Sequence, residues 1–368
     1  MWGDIAIAFL LAFITAYVIT PYTIRFAKKI GALDLPKDKR KIHDHAMPRL
    51  GGIAVISGFL VSTIYLLIVM SMEGTINLAN PDNYNIKLIG FFVGCIILAS
   101  FCFVDDWKGI PPYVKLIGQI LAALVVTFSG IRIDKISISG LNTLITDEVF
   151  STIITIIWIV GITNAINLID GLDGLSSGIC LISCLSLLII FTLNSSPLIA
   201  IILITALAGS LVGFLPYNFN PAKTFIGDTG SNFLGYSLSI ISILGVAKTY
   251  TAIVLIAPLI IFALPLFDTI SAIFRRLIKT KSIKGVFKAD KEHLHHKIMK
   301  RGYTQKQAVF ILYGLSATCG MFAIILLESG LWKALSFALM VIAVIAIGYK
   351  DILKTRNEEN SEKSEENK

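Results

Sequence analysis

The stretch Val149–Gly174, VFSTIITIIWIVGITNAINLIDGLDG, sets an apolar run over 149–166 directly against a polar, acidic, glycine-bearing end. A helix of that length is about what crosses a ~30 Å hydrocarbon core. Carboxylates at the boundary of such a run are expensive, so Asp170 and Asp173 demand a reason. The run reads as a transmembrane helix, and Asn164–Gly174 as more than a connecting loop.

Working outward, ten further apolar runs of similar length lie near 3–24, 52–71, 86–104, 114–131, 174–193, 197–216, 231–247, 250–270, 307–327 and 332–349. The chain has 368 residues, 55% of them hydrophobic and only 15% charged, with the charges bunched between the runs. This composition excludes a soluble globular enzyme and predicts an all-α, polytopic integral membrane protein of about eleven transmembrane helices. The first run carries Asp4 rather than a basic leader and no small-residue cleavage site follows, so it reads as an anchor and not a removable signal. Residues 1–350 are expected to form one transmembrane catalytic domain. The acidic end, 351–368, is expected to be a disordered cytoplasmic tail.

Positively charged loops stay cytoplasmic. With residues 25–50 placed inside, the inside segments hold 27 of the 32 lysines and arginines. That puts the N-terminus outside and the C-terminus in the cytoplasm. The same topology carries Asp105, Asp106, Asp170, Asp173 and Asp228 to the cytoplasmic face, although none of them entered the count. The net charge of +8 is thereby concentrated on one side, where it suits anionic lipid headgroups or anionic substrates and equally reflects the ordinary bias of membrane proteins. The five cysteines all fall inside expected spans and read as small buried hydrophobes. Gly209 and Gly213 form a G-x-x-x-G that suits helix packing.

Taken alone, Asp105 is what a solvated interfacial charge or a cap would look like. Asp105 and Asp106 side by side repel unless a cation or proton lies between them, which points to Mg²⁺ near a phosphate site. Asn164, Asn167, Asp170 and Asp173 step by three, so a helix continued through them would place all four on one face. Phe225-Ile226-Gly227-Asp228-Thr229-Gly230-Ser231 sets an acid just before a helix expected to start near 231, as either an N-cap or part of an anion site. His293-Leu294-His295-His296 lies in a basic loop with Arg275, Arg276, Lys288, Lys291 and Lys297. Zinc ligation, a solvated basic loop and phosphate binding all remain open there, although no cysteine lies near to complete a zinc site.

These motifs occur in a fixed order: Lys41-Ile42-His43 with Pro48-Arg49-Leu50-Gly51-Gly52, then Asp105-Asp106, Asn164–Gly174, Phe225–Ser231 and His293–His296. In that order on one face, they resemble the bacterial polyprenyl-phosphate N-acetylglucosamine-1-phosphate transferases, which share a superfamily with the phospho-MurNAc-pentapeptide transferases. The resemblance covers nearly the whole chain except the acidic tail. It implies a plasma-membrane enzyme that transfers a sugar-1-phosphate from a UDP-N-acetylhexosamine to undecaprenyl phosphate, with Mg²⁺ or Mn²⁺ as cofactor and no nucleic-acid partner. A homodimer is compatible with it.

By the same resemblance, Asp228 looks like a metal ligand, and Asp105 or Asp106 looks like a metal ligand or a base. Asn164, Asn167, Asp170 and Asp173 look like the uridine and sugar-phosphate wall, with Phe225 as a base-stacking ring. Lys108, Lys115, Arg275 or Arg276, His293, His295 and His296 look like phosphate contacts. His-x-His-His, rather than three consecutive histidines, resembles the GlcNAc branch more than the phospho-MurNAc-pentapeptide branch.

The chain departs from the family pattern at Ala46, where proline is common, and at Ala289-Asp290-Lys291, where Pro-Asp-Arg is common. Lysine for arginine at 291 loses a bidentate fork. Ser176 stands where alanine is frequent, and is expected to matter little. A secondary transporter would also show many spans with a few acids, but near the midplane and in repeated halves. This chain shows no repeat, and its acids sit at span ends. A phosphate monoester is largely dianionic near neutral pH, its second pKa being about 6, so a base has little left to do. A metal together with fixed cations, which bring a lipid phosphate against a pyrophosphate of like charge, addresses the larger barrier.

Overall fold

The computed structural model describes residues 2–36, 45–74, 84–133, 147–246, 252–282 and 292–344. Lys41-Ile42-His43, Lys288, Ala289-Asp290-Lys291 and the acidic tail lie outside the described residues. Within them the chain folds into α1 (Trp2–Ile30), α2 (Gly51–Met72), α3 (Tyr84–Lys108), α4 (Pro112–Phe128), α5 (Glu148–Ile169), α6 (Leu175–Leu193), α7 (Leu198–Asn218), α8 (Gly227–Val246), α9 (Ala252–Ile261), α10 (Ala263–Thr280), α11 (Leu294–Lys300), α12 (Gln305–Ser329) and α13 (Leu331–Val344). The only strands among the described residues are β1 (Leu33–Asp34) and β2 (Met47–Pro48), antiparallel with Leu33 opposite Pro48. Seven helices, α1, α2, α3, α5, α6, α7 and α12, are long and apolar enough to cross a membrane. The all-helical polytopic architecture is as expected.

Local chemistry sets the helix ends. Pro111 and Pro112 open α4, where a missing N–H costs nothing. The Asp147 side chain accepts from Val149 N at 3.1 Å to start α5, and Thr304 with Gln307 forms a capping box on α12. The expected span 250–270 is instead two helices. Pro265 has no N–H to offer the carbonyl of Ile261, and the path bends around Phe262 into α10, which continues to Thr280.

The interior is organised around α8, whose residues from Thr229 to Gly245 are all buried. It packs against α2, α3, α5, α6 and α7. This enclosure explains why α8 tolerates Ser231, Asn232, Ser237, Ser239 and Ser242: it faces protein on every side. Hydroxyls of Ser239 and Ser242 bond back to Tyr236 O and Ser239 O at 2.8 and 2.6 Å, inside the helix itself. Gly209 and Gly213 pack against the carbonyls of Phe9 and Phe13, so the G-x-x-x-G does seat α7 on α1. Cys95, Cys102, Cys180 and Cys184 are buried free thiols, and Cys319 is half-buried.

Candidate active site

Two glycine-bearing segments lock together first. Phe225 N and Thr224 Oγ1 donate to Pro48 O at 2.8 and 2.9 Å, and Gly51 N and Gly52 N donate to Phe225 O and Ile226 O at 3.0 and 2.8 Å. A Cβ on Gly52 would enter the backbone of Gly230, and one on Gly227, at φ +72°, would enter Arg49 O. The Pro48–Gly52 and Phe225–Ser231 motifs are therefore one interlocked unit, and their glycines are demanded by backbone approach.

This unit places the start of α8 beside the end of α3. Asp106 Oδ1 accepts from Asp228 N at 2.9 Å, and Oδ2 accepts from Thr229 N and Thr229 Oγ1 at 2.8 and 2.7 Å. A carboxylate from another helix thus caps α8, which starts four residues before its expected position. Asp228 sits inside the first turn and is not itself the cap.

The Asp228 carboxylate is held from three sides. Oδ1 accepts from Lys115 Nζ at 2.9 Å and from Asn167 Nδ2 at 2.6 Å, and Oδ2 accepts from Arg49 at 3.2 Å. Lys115 Nζ also lies 2.5 Å from Asp105 Oδ2, so one ammonium stands between two carboxylates. Beneath them Gln119 Nε2 donates to Asn232 Oδ1 at 2.7 Å, and Asn164 Nδ2 donates to Gln119 Oε1 at 2.6 Å. The structure thus brings Asp105, Asp106, Lys115, Asn164, Asn167 and Asp228 together from α3, α4, α5 and α8.

The step-by-three reading of Asn164–Asp173 is corrected. Helix α5 ends at Ile169, Asp170 is its C-cap, and Gly174 turns left-handed at φ +74°. Asp170 and Asp173 consequently face different partners. Asp170 Oδ1 accepts from Ser176 Oγ at 2.6 Å, so Ser176, expected to matter little, engages a site carboxyl. Burial pushes the Asp170 carboxyl up to about 7; the Ser176 bond opposes that rise, and Asp228 and Asp106 add to it. Asp173 Oδ2 accepts from Asn220 Nδ2 at 2.8 Å and Ala222 N at 3.1 Å, and Asn220 Nδ2 reaches on to Gln305 Oε1 at 3.0 Å.

The three histidines divide. His296 lines the cleft described below. His293 is buried, its Nδ1 2.8 Å from Asp268 Oδ2 and its Nε2 3.4 Å from Arg276. The buried ring of His295 packs over Gly171, where a Cβ would collide with it. Burial, followed by the nearby His296 and His293, lowers the His295 imidazole to about 3, so it is neutral near pH 7. Lys108 and Arg275 are not among the residues that line the cleft. Lys108 lies 4.3 Å above the Trp107 ring, and Arg275 faces Glu292 at 3.6 Å.

What these elements enclose is an open polar cleft of about 500 Å³. Asp228, Arg49, Asn167 and Asp170 lie along it, with Gly171, Asp173, Asn220, Phe225, His296 and Gln305. Sequence reading missed Gln119, Asn232, Asn220, Asp268 and Gln305 as site-forming residues. Gln119 alone carried a signal, as an amide within an apolar run. With Asp228 held by the Arg49 guanidinium, the amides of Asn167 and Asn220 and the Phe225 ring along the wall, the cleft can hold a phosphate-bearing molecule with a planar ring system.

The family described as Glycosyl transferase family 4 matches residues 88–246. A Bacillus subtilis protein named as a probable undecaprenyl-phosphate N-acetylglucosaminyl 1-phosphate transferase is 36% identical over 347 residues, covering 93% of this chain and 90% of that protein. The undecaprenyl-phosphate alpha-N-acetylglucosaminyl 1-phosphate transferase of Pasteurella multocida is 34% identical, covering 88% of this chain and 85% of its own length. The decaprenyl-phosphate N-acetylglucosaminephosphotransferase of Mycobacterium tuberculosis is 29% identical over 84% of this chain and 79% of its own.

Proposed function

This chain belongs to glycosyl transferase family 4, and on that premise we propose that it transfers N-acetylglucosamine-1-phosphate from UDP-GlcNAc to undecaprenyl phosphate, releasing UMP. The product would be undecaprenyl-diphosphate-GlcNAc, the start of a cell-wall or surface polysaccharide such as teichoic acid. The observation that carries this reading is Asp228 on the cleft wall, clamped by Lys115, Arg49 and Asn167, in a chain whose relatives are named for that transfer. The enzyme crosses the bacterial plasma membrane about eleven times, with its N-terminus outside and the cleft facing the cytoplasm. A soluble nucleotide sugar and a membrane lipid then meet without either crossing.

The residues present fit Mg²⁺. Asp105 and Asp228 already hold one cation between them, the Lys115 ammonium, and offer the oxygen donors that Mg²⁺ takes alongside substrate oxygens. Asp106 accepts from the backbone N–H groups of Asp228 and Thr229 at the start of α8, and in that place it would position Asp228. When bound, Mg²⁺ would neutralise charge on the pyrophosphate. Arg49 and Lys115 supply fixed positive charge where the lipid phosphate must approach the donor. Phe225 and the hydrogen-bonded Asp173, Asn220 and Gln305 of the cleft lining would receive the uridine. The Asp170 carboxyl and His296 then border the sugar and its phosphates.

Purified protein supplied with undecaprenyl phosphate, Mg²⁺ and a panel of UDP-sugars tests the proposal through UMP released. The expected result is turnover with UDP-GlcNAc above other UDP-sugars. No turnover with any donor would defeat it.

A further inference from the structure

We propose that Asp268 of α10 is a positioning residue that sets the donor-facing histidine, His296, by anchoring His293; the inference rests on the transfer reading above. Asp268 is 2% exposed, and both of its oxygens are engaged at the start of the histidine motif. Oδ2 lies 2.8 Å from His293 Nδ1, and Oδ1 accepts from Leu294 N at 3.0 Å. One carboxylate therefore grips both the ring of His293 and the first backbone N–H of α11. On the other side of the ring, Arg276 lies 3.4 Å from Nε2. A cation donating to Nε2 leaves Nδ1 to carry the proton toward Asp268, which fixes the tautomer and the plane of the imidazole.

From that fixed ring a stack runs to the cleft. The His293 and His295 rings are parallel within 6°, with centroids 5.8 Å apart, and His295 lies 4.2 Å from His296, the member that lines the cleft. His295 is wedged over Gly171, so the stack cannot shift without moving the cleft wall. Leu294, Ile298 and Met299 pack α11 on Val309 and Leu312 of α12, and Leu264 of α10 joins the same cluster. This apolar seat holds the body of α11. The polar grip of Asp268 fixes its beginning, where the histidines are. Buried carboxylate–imidazole pairs orient a ring strongly because each leaves an unpaired buried group if the other is removed.

The test uses the full-length protein in detergent or bilayer discs. Hydrogen exchange is measured over 293–300 in wild type, Asp268→Asn and Asp268→Ala. Faster exchange there, with α12 unchanged, is expected. Unchanged exchange at 293–300 would overturn the inference. Steady-state UMP release then follows the same variants. Asp268→Ala is expected to raise KM for UDP-GlcNAc roughly tenfold, Asp268→Asn to fall between it and wild type, and KM for undecaprenyl phosphate to stay within about twofold. In a His296→Ala background Asp268→Ala should add nothing, because both act on one contact. An additive loss, or an equal rise in both KM values, would overturn the positioning role. Should Asp268→Ala fail to fold, Asp268→Asn carries the comparison, since its amide oxygen still accepts one of the two bonds. Absence of turnover in wild type would instead defeat the transfer reading, while the exchange data would still decide the anchoring of α11.

Discussion

Asp106 accepts the backbone N–H of Asp228 at 2.9 Å, so a carboxylate at the end of α3 caps the first turn of α8. Its neighbour Asp105 makes a different contact, with Lys115. The two adjacent acids therefore divide their work: one builds the helix end that carries Asp228, and the other shares Asp228's counter-ion.

Replacing Asp106 with Ala removes acceptors from three donors on Asp228 and Thr229. Loss of a helix cap costs about 0.5–2 kcal/mol, and buried donors left unpaired add to it. The expected outcome is a lower Tm in detergent, together with a fall in turnover that added Mg²⁺ does not restore.

Lys115 stands between Asp105 and Asp228, the pair to which the proposal gives the divalent cation. Lys115→Gln should therefore tighten Mn²⁺ binding to the nucleotide-free protein by roughly tenfold, because two carboxylates lose the charge that neutralises them. Turnover should fall in the same variant. Electron paramagnetic resonance titration of free Mn²⁺ measures the affinity directly, and weaker binding would contradict the bridging role.

Burial favours the neutral Asp170 carboxyl and pushes its pKa from the ordinary 3.8 up to about 7. A raised carboxylate pKa means that its contribution to stability is greatest below about pH 4 and is lost as pH climbs toward 7. Asp170→Asn should flatten that part of the Tm-against-pH curve. Ser176→Ala removes the bond that holds the pKa down, so it should extend the decline to higher pH.

Gly171→Ala would drive a methyl group into the His295 ring. Overpacking of this kind typically costs about 1–3 kcal/mol. Displacement of the histidine stack should appear as a higher KM for UDP-GlcNAc with an unchanged KM for undecaprenyl phosphate.

The apolar runs and the acids that interrupt them carried most of the fold and the centre of the site. Asp105, Asp106 and Asp228 stood out because charge next to a span is costly, and the structure does bring them together. The reading of Asn164–Asp173 as one helical stripe failed because a period of three can be counted across a helix end. Gly171 and Gly174, with the polar partners of Asp170 and Asp173, stop the helix where hydrophobic periodicity gives no sign. The break around Phe262 was not read from the sequence, although Pro265 cannot donate to the carbonyl of Ile261. Gln119 carried a signal as an amide in an apolar run, but neither it nor Asn232 nor Asp268 could be assigned to the site, because the partner of each lies on another helix. His293 and His295 were grouped with His296 by adjacency, yet burial gives only His296 to the cleft.

UMP release by purified protein over a Mg²⁺ titration, for wild type and Asp228→Asn, bears on the central claim most directly. Wild type should release UMP from UDP-GlcNAc only when undecaprenyl phosphate and Mg²⁺ are both present. Asp228→Asn should lose on the order of 10²-fold or more, as expected when a fixed charge at the reacting centre is removed. Near-normal turnover and metal dependence in Asp228→Asn would contradict the account, as would no UMP from wild type with any UDP-sugar.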